Sequence, residues 1–147
     1  MTDESINLES YFPYFLGTVS NRWTATSSQL YLKRFGIGIG EWRVLASVRA
    51  LGPTSSQQVL SLTSMDAGAI SRSMKKLEQG GFVRPLEGKF AGRTKPYEMT
   101  QAGKRLYDDI STIAREREEI LLQDLTHQER EGLFQALRKI LHRIEEL

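Results

Sequence analysis

The 147-residue chain contains no cysteine. That absence excludes disulfides, thiolate metal sites and cysteine-based redox switches together. It has two histidines, His127 and His142, far apart in sequence. Neither sits in a spacing that holds a metal. There is no nucleophile elbow and no phosphate-cradling glycine loop. These absences together predict a protein that is not an enzyme, with no catalytic residues, no metal and no cofactor. No apolar run is long enough to span a bilayer. The start, Met1-Thr-Asp-Glu-Ser5, puts acids where a signal peptide needs positive charge, so a cytoplasmic location is expected. Internal repeats and low-complexity tracts are also missing.

What is present is ordinary in amount and uneven in placement. Hydrophobic residues are 39% and charged residues 26% of the chain, enough for one soluble domain with its own core. The net charge is only +2. Between Ile70 and Arg105, however, nine basic residues face three acids (Glu78, Glu87 and Glu98). That stretch carries +6 and the remainder about −4, the footprint of a site for a polyanion.

Periodicity divides the chain into helices. Phe12, Phe15, Leu16, Val19 and Trp23 recur at helical steps from about Ser10 to Arg34, with Pro13 tolerated in the first turn. A second helix spans about Glu41 to Ala50 and stops at Gly52-Pro53. Ser55 and Gln58 have the form of a capping box that opens a short helix to about Leu62. Asp66 caps the next helix, with Met65 and Ile70 as the halves of a hydrophobic staple. Only Thr63 to Met65 separate these two helices, which is helix-turn-helix spacing.

The second of the pair is two-faced. At about 100° per residue, Ile70, Met74 and Leu77 lie within roughly 60° of one another, opposite Gly68, Arg72, Lys75, Lys76 and Gln79. Gly80-Gly81 is expected to end it in the left-handed conformation. Phe82–Leu86 and Pro96–Met99 are short strand candidates, and Glu87–Lys95 is a long basic hairpin tip between them. Thr100 caps a long helix to about Asp124, and Thr126 and Glu129 form a second capping box. The last helix carries Leu133, Leu137, Ile140, Ile144 and Leu147 at three–four spacing. The predicted fold class is mainly α with a small β wing (α+β): a winged helix-turn-helix flanked by helices from both ends of the chain.

This order of elements, with Phe35-Gly-Ile, Glu41-Trp-Arg-Val-Leu45, Ser71-Arg72, Leu77-Glu-Gln-Gly-Gly-Phe-Val83, Gly92-Arg93 and Met99-Thr-Gln-Ala-Gly103, resembles the MarR family of bacterial winged-helix regulators over about residues 8–147. The resemblance implies one MarR-type domain over 1–147. Its helices at about 10–35 and 100–147 would join two copies into a homodimer, and about 36–99 would be the DNA-binding part. The wide apolar stripe of the last helix points the same way. The resemblance also implies a transcriptional regulator, by family default a repressor. One departure stands out: the usual aspartate before the wing arginine is replaced by Ala91-Gly92 ahead of Arg93.

The expected DNA contacts are Ser56 and Gln57 at a helix start, then Gly68, Ser71, Arg72, Lys75 and Lys76 in the major groove. Lys89, Arg93 and Lys95 would follow along the minor groove. Arg72 has two readings, guanine contact or an internal pair with Asp66 or Glu78. The expected target is double-stranded DNA carrying a pseudo-palindromic operator. A small aromatic effector (an aromatic acid, a phenol or a thioester) is implied by the resemblance. Tyr14, Phe15, Arg22, Trp23 and Trp42 are candidates to line its site. The same aromatics at helical spacing also read as core, and a regulator or activator without any effector is the alternative.

Overall fold

The computed structural model describes residues 5–88 and 95–147. Its elements in chain order are α1 (Phe12–Phe35), α2 (Ile39–Leu51), α3 (Ser56–Leu62), α4 (Ala67–Gln79), β1 (Val83–Pro85), β2 (Tyr97–Met99), α5 (Gln101–Leu122) and α6 (His127–Glu145). It is a largely helical protein with a small antiparallel sheet, as the fold class read from the sequence required.

Local side-chain chemistry sets most of the boundaries. Ser55 and Gln58 close their capping box, with Ser55 N–H donating to Gln58 Oε1 at 2.9 Å. Asp66 accepts from Ala69 N–H at 2.8 Å. Thr126 and Glu129 exchange bonds of 2.8 and 3.1 Å. Each satisfies backbone donors that a helix start leaves orphaned. Helix α1 begins two residues later than the periodicity suggested, because Ser10 belongs to a turn in which its N–H donates to Asn7 C=O at 3.1 Å. Helix α2 begins two residues earlier than expected, because Gly38 N–H donates to Glu41 Oε2 at 3.0 Å and anchors the first turn. At the end of α4 only Gly81 is left-handed (φ 77°), while Gly80 keeps a helical φ of −76°.

The chain forms two compact units, Met1–Asp108 and Asp109–Leu147. In the first, the core is built from Val44, Leu45 and Val48 of α2, Val59 of α3, Ile70, Met74 and Leu77 of α4, and Val83 of β1, all buried. Strand β1 pairs antiparallel with β2 in the register Val83↔Met99, Arg84↔Glu98 and Pro85↔Tyr97. Thr54 adds a third, one-residue strand. Its N–H donates to Tyr97 C=O at 2.9 Å and its C=O accepts from Tyr97 N–H at 2.8 Å. The sheet therefore closes on the residue just ahead of α3 and fixes where the helix-turn-helix starts.

The start of α5 is clamped on β1. Thr100 N–H donates to Phe82 C=O at 3.0 Å, and its hydroxyl donates to Gly81 C=O at 2.6 Å. Gly103 lies directly over the Phe82 carbonyl, where a Cβ would collide.

In the second unit, Arg130 of α6 bonds Leu122 C=O at 2.9 Å and pairs with Glu119 of α5 at 3.1 Å. No residue of α6 is buried.

Candidate nucleic-acid interface

Helix α4 sorts its residues as its angular pattern demands. Ile70, Met74 and Leu77 are buried against the core. Gly68, Ser71, Arg72, Lys75, Lys76 and Gln79 are exposed. Ser73, which the apolar pattern did not mark, is also buried. Its Oγ faces Gly40 of α2, 3.1 Å from the position a Cβ there would take. The turn ahead of α4 is held by Thr63, whose hydroxyl donates to Val59 C=O at 3.2 Å and accepts from Met65 N–H at 3.4 Å. Of the two staple positions, Ile70 is buried and Met65 half-buried.

The cations on this face are not equivalent. Among the described residues Arg72 has no ion-pair partner, which removes the internal pairing with Asp66 or Glu78. Its Nη1 lies 3.0 Å from where a Cβ on Gly68 would stand, so the guanidinium folds back over the first turn of α4. Lys75 is exposed. Lys76 is different: its Nζ lies 3.4 Å from Glu41 Oε1 on α2.

Helix α3 presents Gln57 to solvent and leaves Ser56 half-buried, while Ser55 is buried in its cap. At the base of the wing, Arg84 and Glu98 pair across the strands at 2.6 Å. The Tyr97 hydroxyl donates to Glu78 Oε2 at 3.5 Å and ties the end of α4 to β2. Burial raises the Tyr97 pKa above the usual phenol value, and the charge and hydrogen bond of Glu78 add to the shift. Lys95 is exposed. Lys89 and Arg93 lie outside the described residues.

The aromatic candidates differ in exposure. Tyr14 and Phe15 are exposed on α1, as is Arg22, and Trp23 is half-buried. Trp42 instead stacks on Tyr107 of α5, with ring centres 5.4 Å apart, and meets Tyr31 edge-on at 6.2 Å. The Arg49 guanidinium lies 5.7 Å over the Tyr107 ring. Sequence spacing alone does not single out Tyr107 and Arg49. The available signal was the inward face of α5, where Gly103, Leu106 and Tyr107 follow at helical spacing.

Among the described residues no helix is long and apolar enough to cross a membrane. No protein-family model matches the chain. The chain is 28% identical over 122 residues to the HTH-type transcriptional regulator YwoH of Bacillus subtilis, covering 83% of this chain and 88% of that one. A MarR/EmrR family transcriptional regulator from Acinetobacter sp. ADP1 superposes with a TM-score of 0.89 at 29% identity, over 97% of this chain and all of its own. The chain resembles MarR-family transcriptional regulators in sequence and in fold. The fold is also that of MepR of Staphylococcus aureus in a complex with DNA, at a TM-score of 0.80 and 19% identity over 95% of this chain and 99% of that one. In the terms of that fold, α3 and α4 form the helix-turn-helix and β1 and β2 the base of the wing.

Proposed function

We propose that this protein is a transcriptional regulator that binds duplex DNA as a homodimer, with α4 in the major groove. The observation that carries this reading is the sorting of α4. Its apolar side is buried in a rigid core, and its outer side presents Gly68, Ser71, Arg72 and Lys75. Arginine there suits guanine and phosphate, and lysine suits phosphate. Gln57 and Ser56 at the start of α3 supply polar donors beside the backbone, and the wing carries Lys89, Arg93 and Lys95 along the minor groove. The relatives, named as HTH-type and MarR/EmrR regulators, support the same reading.

The dimer rests on uncovered apolar surface. Tyr11, Phe12, Tyr14, Phe15, Leu16 and Val19 of the first unit are exposed. In the second unit Leu133, Phe134, Leu141 and Ile144 are 41–59% exposed. A soluble chain rarely leaves such faces in water, and a two-fold copy of itself covers them. Two recognition helices so joined read a pseudo-palindromic operator with half-sites about one helical turn apart. Bound there, the protein acts as a repressor.

Release by a small aromatic acid, phenol or thioester is the second half of the proposal. The Trp42–Tyr107 stack with Arg49 above it offers aromatic faces and a cation of the right chemistry. Tyr14, Phe15, Arg22 and Trp23 of α1 are the further candidates to line that site. An effector acts by preferring the dimer geometry that does not fit DNA.

The test is fluorescence anisotropy with labelled duplex from the protein's own upstream region, at two salt concentrations. Binding that weakens steeply with salt, and weakens further with Arg72→Gln and Lys75→Gln, supports the proposal. Binding unaffected by either substitution removes α4 as the reader. A thermal-shift series with benzoate, phenol and a benzoyl thioester tests the effector. A ligand of the native state raises Tm by mass action, and no shift with any of the three contradicts release by this class.

A further inference from the structure

The Glu41–Lys76 pair sits where a DNA-reading surface has most use for a free cation. Lys76 is one helical step from Arg72 and next to Lys75 on the exposed side of α4. Its side chain is 65% exposed, yet its Nζ lies 3.4 Å from Glu41 Oε1, and the Glu41 side chain is only 12% exposed. Glu41 is fixed at both ends. Its other oxygen, Oε2, accepts from Gly38 N–H at 3.0 Å. The neighbouring Gly40 sits against Ser73, one turn before Lys76. So the carboxylate is held by the start of α2 and aimed at α4. The lysine is the exposed partner.

We infer that Glu41 is an internal phosphate mimic, which neutralises Lys76 and leaves Arg72 and Lys75 as the phosphate-reading charges of α4. Glu41 thereby sets the strength of non-specific DNA binding. This rests on the proposed binding of DNA through α4. The physical argument is a competition. A phosphate that takes Lys76 must displace a carboxylate already in place, and the displaced, largely buried Glu41 is left facing the polyanion. A cation already neutralised within the protein releases no counterion from DNA. It therefore adds nothing to the salt dependence, where a free lysine on a phosphate adds about 0.9 to the slope of log K against log salt. The same carboxylate lies next in sequence to Trp42, so a shift of α2 at the aromatic stack moves the group that restrains Lys76.

The substitution Glu41→Gln is suited to the test. The glutamine oxygen still accepts from Gly38 N–H, so the cap of α2 survives while the charge is removed. Anisotropy with a random-sequence duplex across a salt series is measured for the unsubstituted protein, E41Q, K76Q and the double variant E41Q/K76Q. E41Q is expected to tighten binding and steepen the slope by about one unit. K76Q is expected to leave the slope where it was, and the double variant to return the slope to that of the unsubstituted protein. The inference is overturned if K76Q alone flattens the slope by about one unit, because Lys76 then meets phosphate itself. It is also overturned if E41Q leaves the slope unchanged, or if its gain survives in the double variant. Failure of the unsubstituted protein to bind any duplex at low salt overturns the proposed function instead, and K75Q serves as the control that DNA is read through α4.

Discussion

Replacing Gly103 by alanine sets two known effects against each other. Alanine is favoured over glycine within a helix by about 1 kcal/mol, and Gly103 lies in the first turn of α5. Against that, a Cβ at this position collides with the Phe82 carbonyl oxygen and comes within 3.0 Å of the Phe82 carbonyl carbon and 2.8 Å of Met99 Cγ. A methionine side chain can move aside. The carbonyl cannot, because it is held by Thr100 N–H at 3.0 Å and leads directly into β1. Overpacking against fixed atoms costs about 1–3 kcal/mol and occasionally more. The backbone position of this clash puts G103A at the upper end, so the net loss is about 2 kcal/mol after the gain in helix propensity. For a chain of this size that lowers Tm by roughly 6 °C. Thermal unfolding by circular dichroism at one fixed protein concentration measures it, with Gln101→Ala as the control. Gln101 is exposed in the same turn, and its change belongs within about 0.5 kcal/mol of zero. A G103A protein as stable as the control refutes the claim that α5 is seated on the Phe82 carbonyl.

Other consequences are direct. Asp66→Ala removes the cap of α4 and is expected to cost about 1 kcal/mol in urea unfolding, whereas Asp66→Asn retains most of that stability. Ile144→Glu places a charge on the uncovered side of α6. It is expected to shift the protein from two chains to one in sedimentation velocity without loss of helical signal, and a species of unchanged mass contradicts the dimer face. For Tyr97 the raised pKa means that the native state holds its proton more tightly than the unfolded chain does. That stabilisation is full below the unfolded phenol value of about 10 and is lost as pH rises through the native value. Tyr97→Phe is therefore expected to lose stability less steeply than the unsubstituted protein in alkaline denaturation, and equal slopes contradict the raised pKa of the half-buried phenol.

What the sequence made legible follows from the range of the interactions. The caps at Ser55, Asp66 and Thr126 join residues three apart, and each formed as its spacing implied. The two faces of α4 were legible because helical geometry alone assigns them. The third strand was not, since it is a single residue, Thr54, paired with Tyr97 far along the chain. The start of α2 was missed because Glu41 reads as a surface acid until its bonds to Gly38 and Lys76 are seen together. The aromatic candidates on α1 shared a helical spacing with each other, but spacing within α1 carries no information about Tyr107. Arg72 and Lys76 look alike in the sequence, and only the fold separates a cation without an ion-pair partner among the described residues from one already paired.

The central claim is that two copies of this chain grip one duplex through Arg72 and Lys75 of α4. Sedimentation velocity of the protein mixed with its upstream duplex at low salt tests it most directly. The account predicts a complex of two chains per duplex that the double substitution R72Q/K75Q abolishes while the free protein remains a dimer. One chain per duplex, or a complex that survives the double substitution intact, contradicts it.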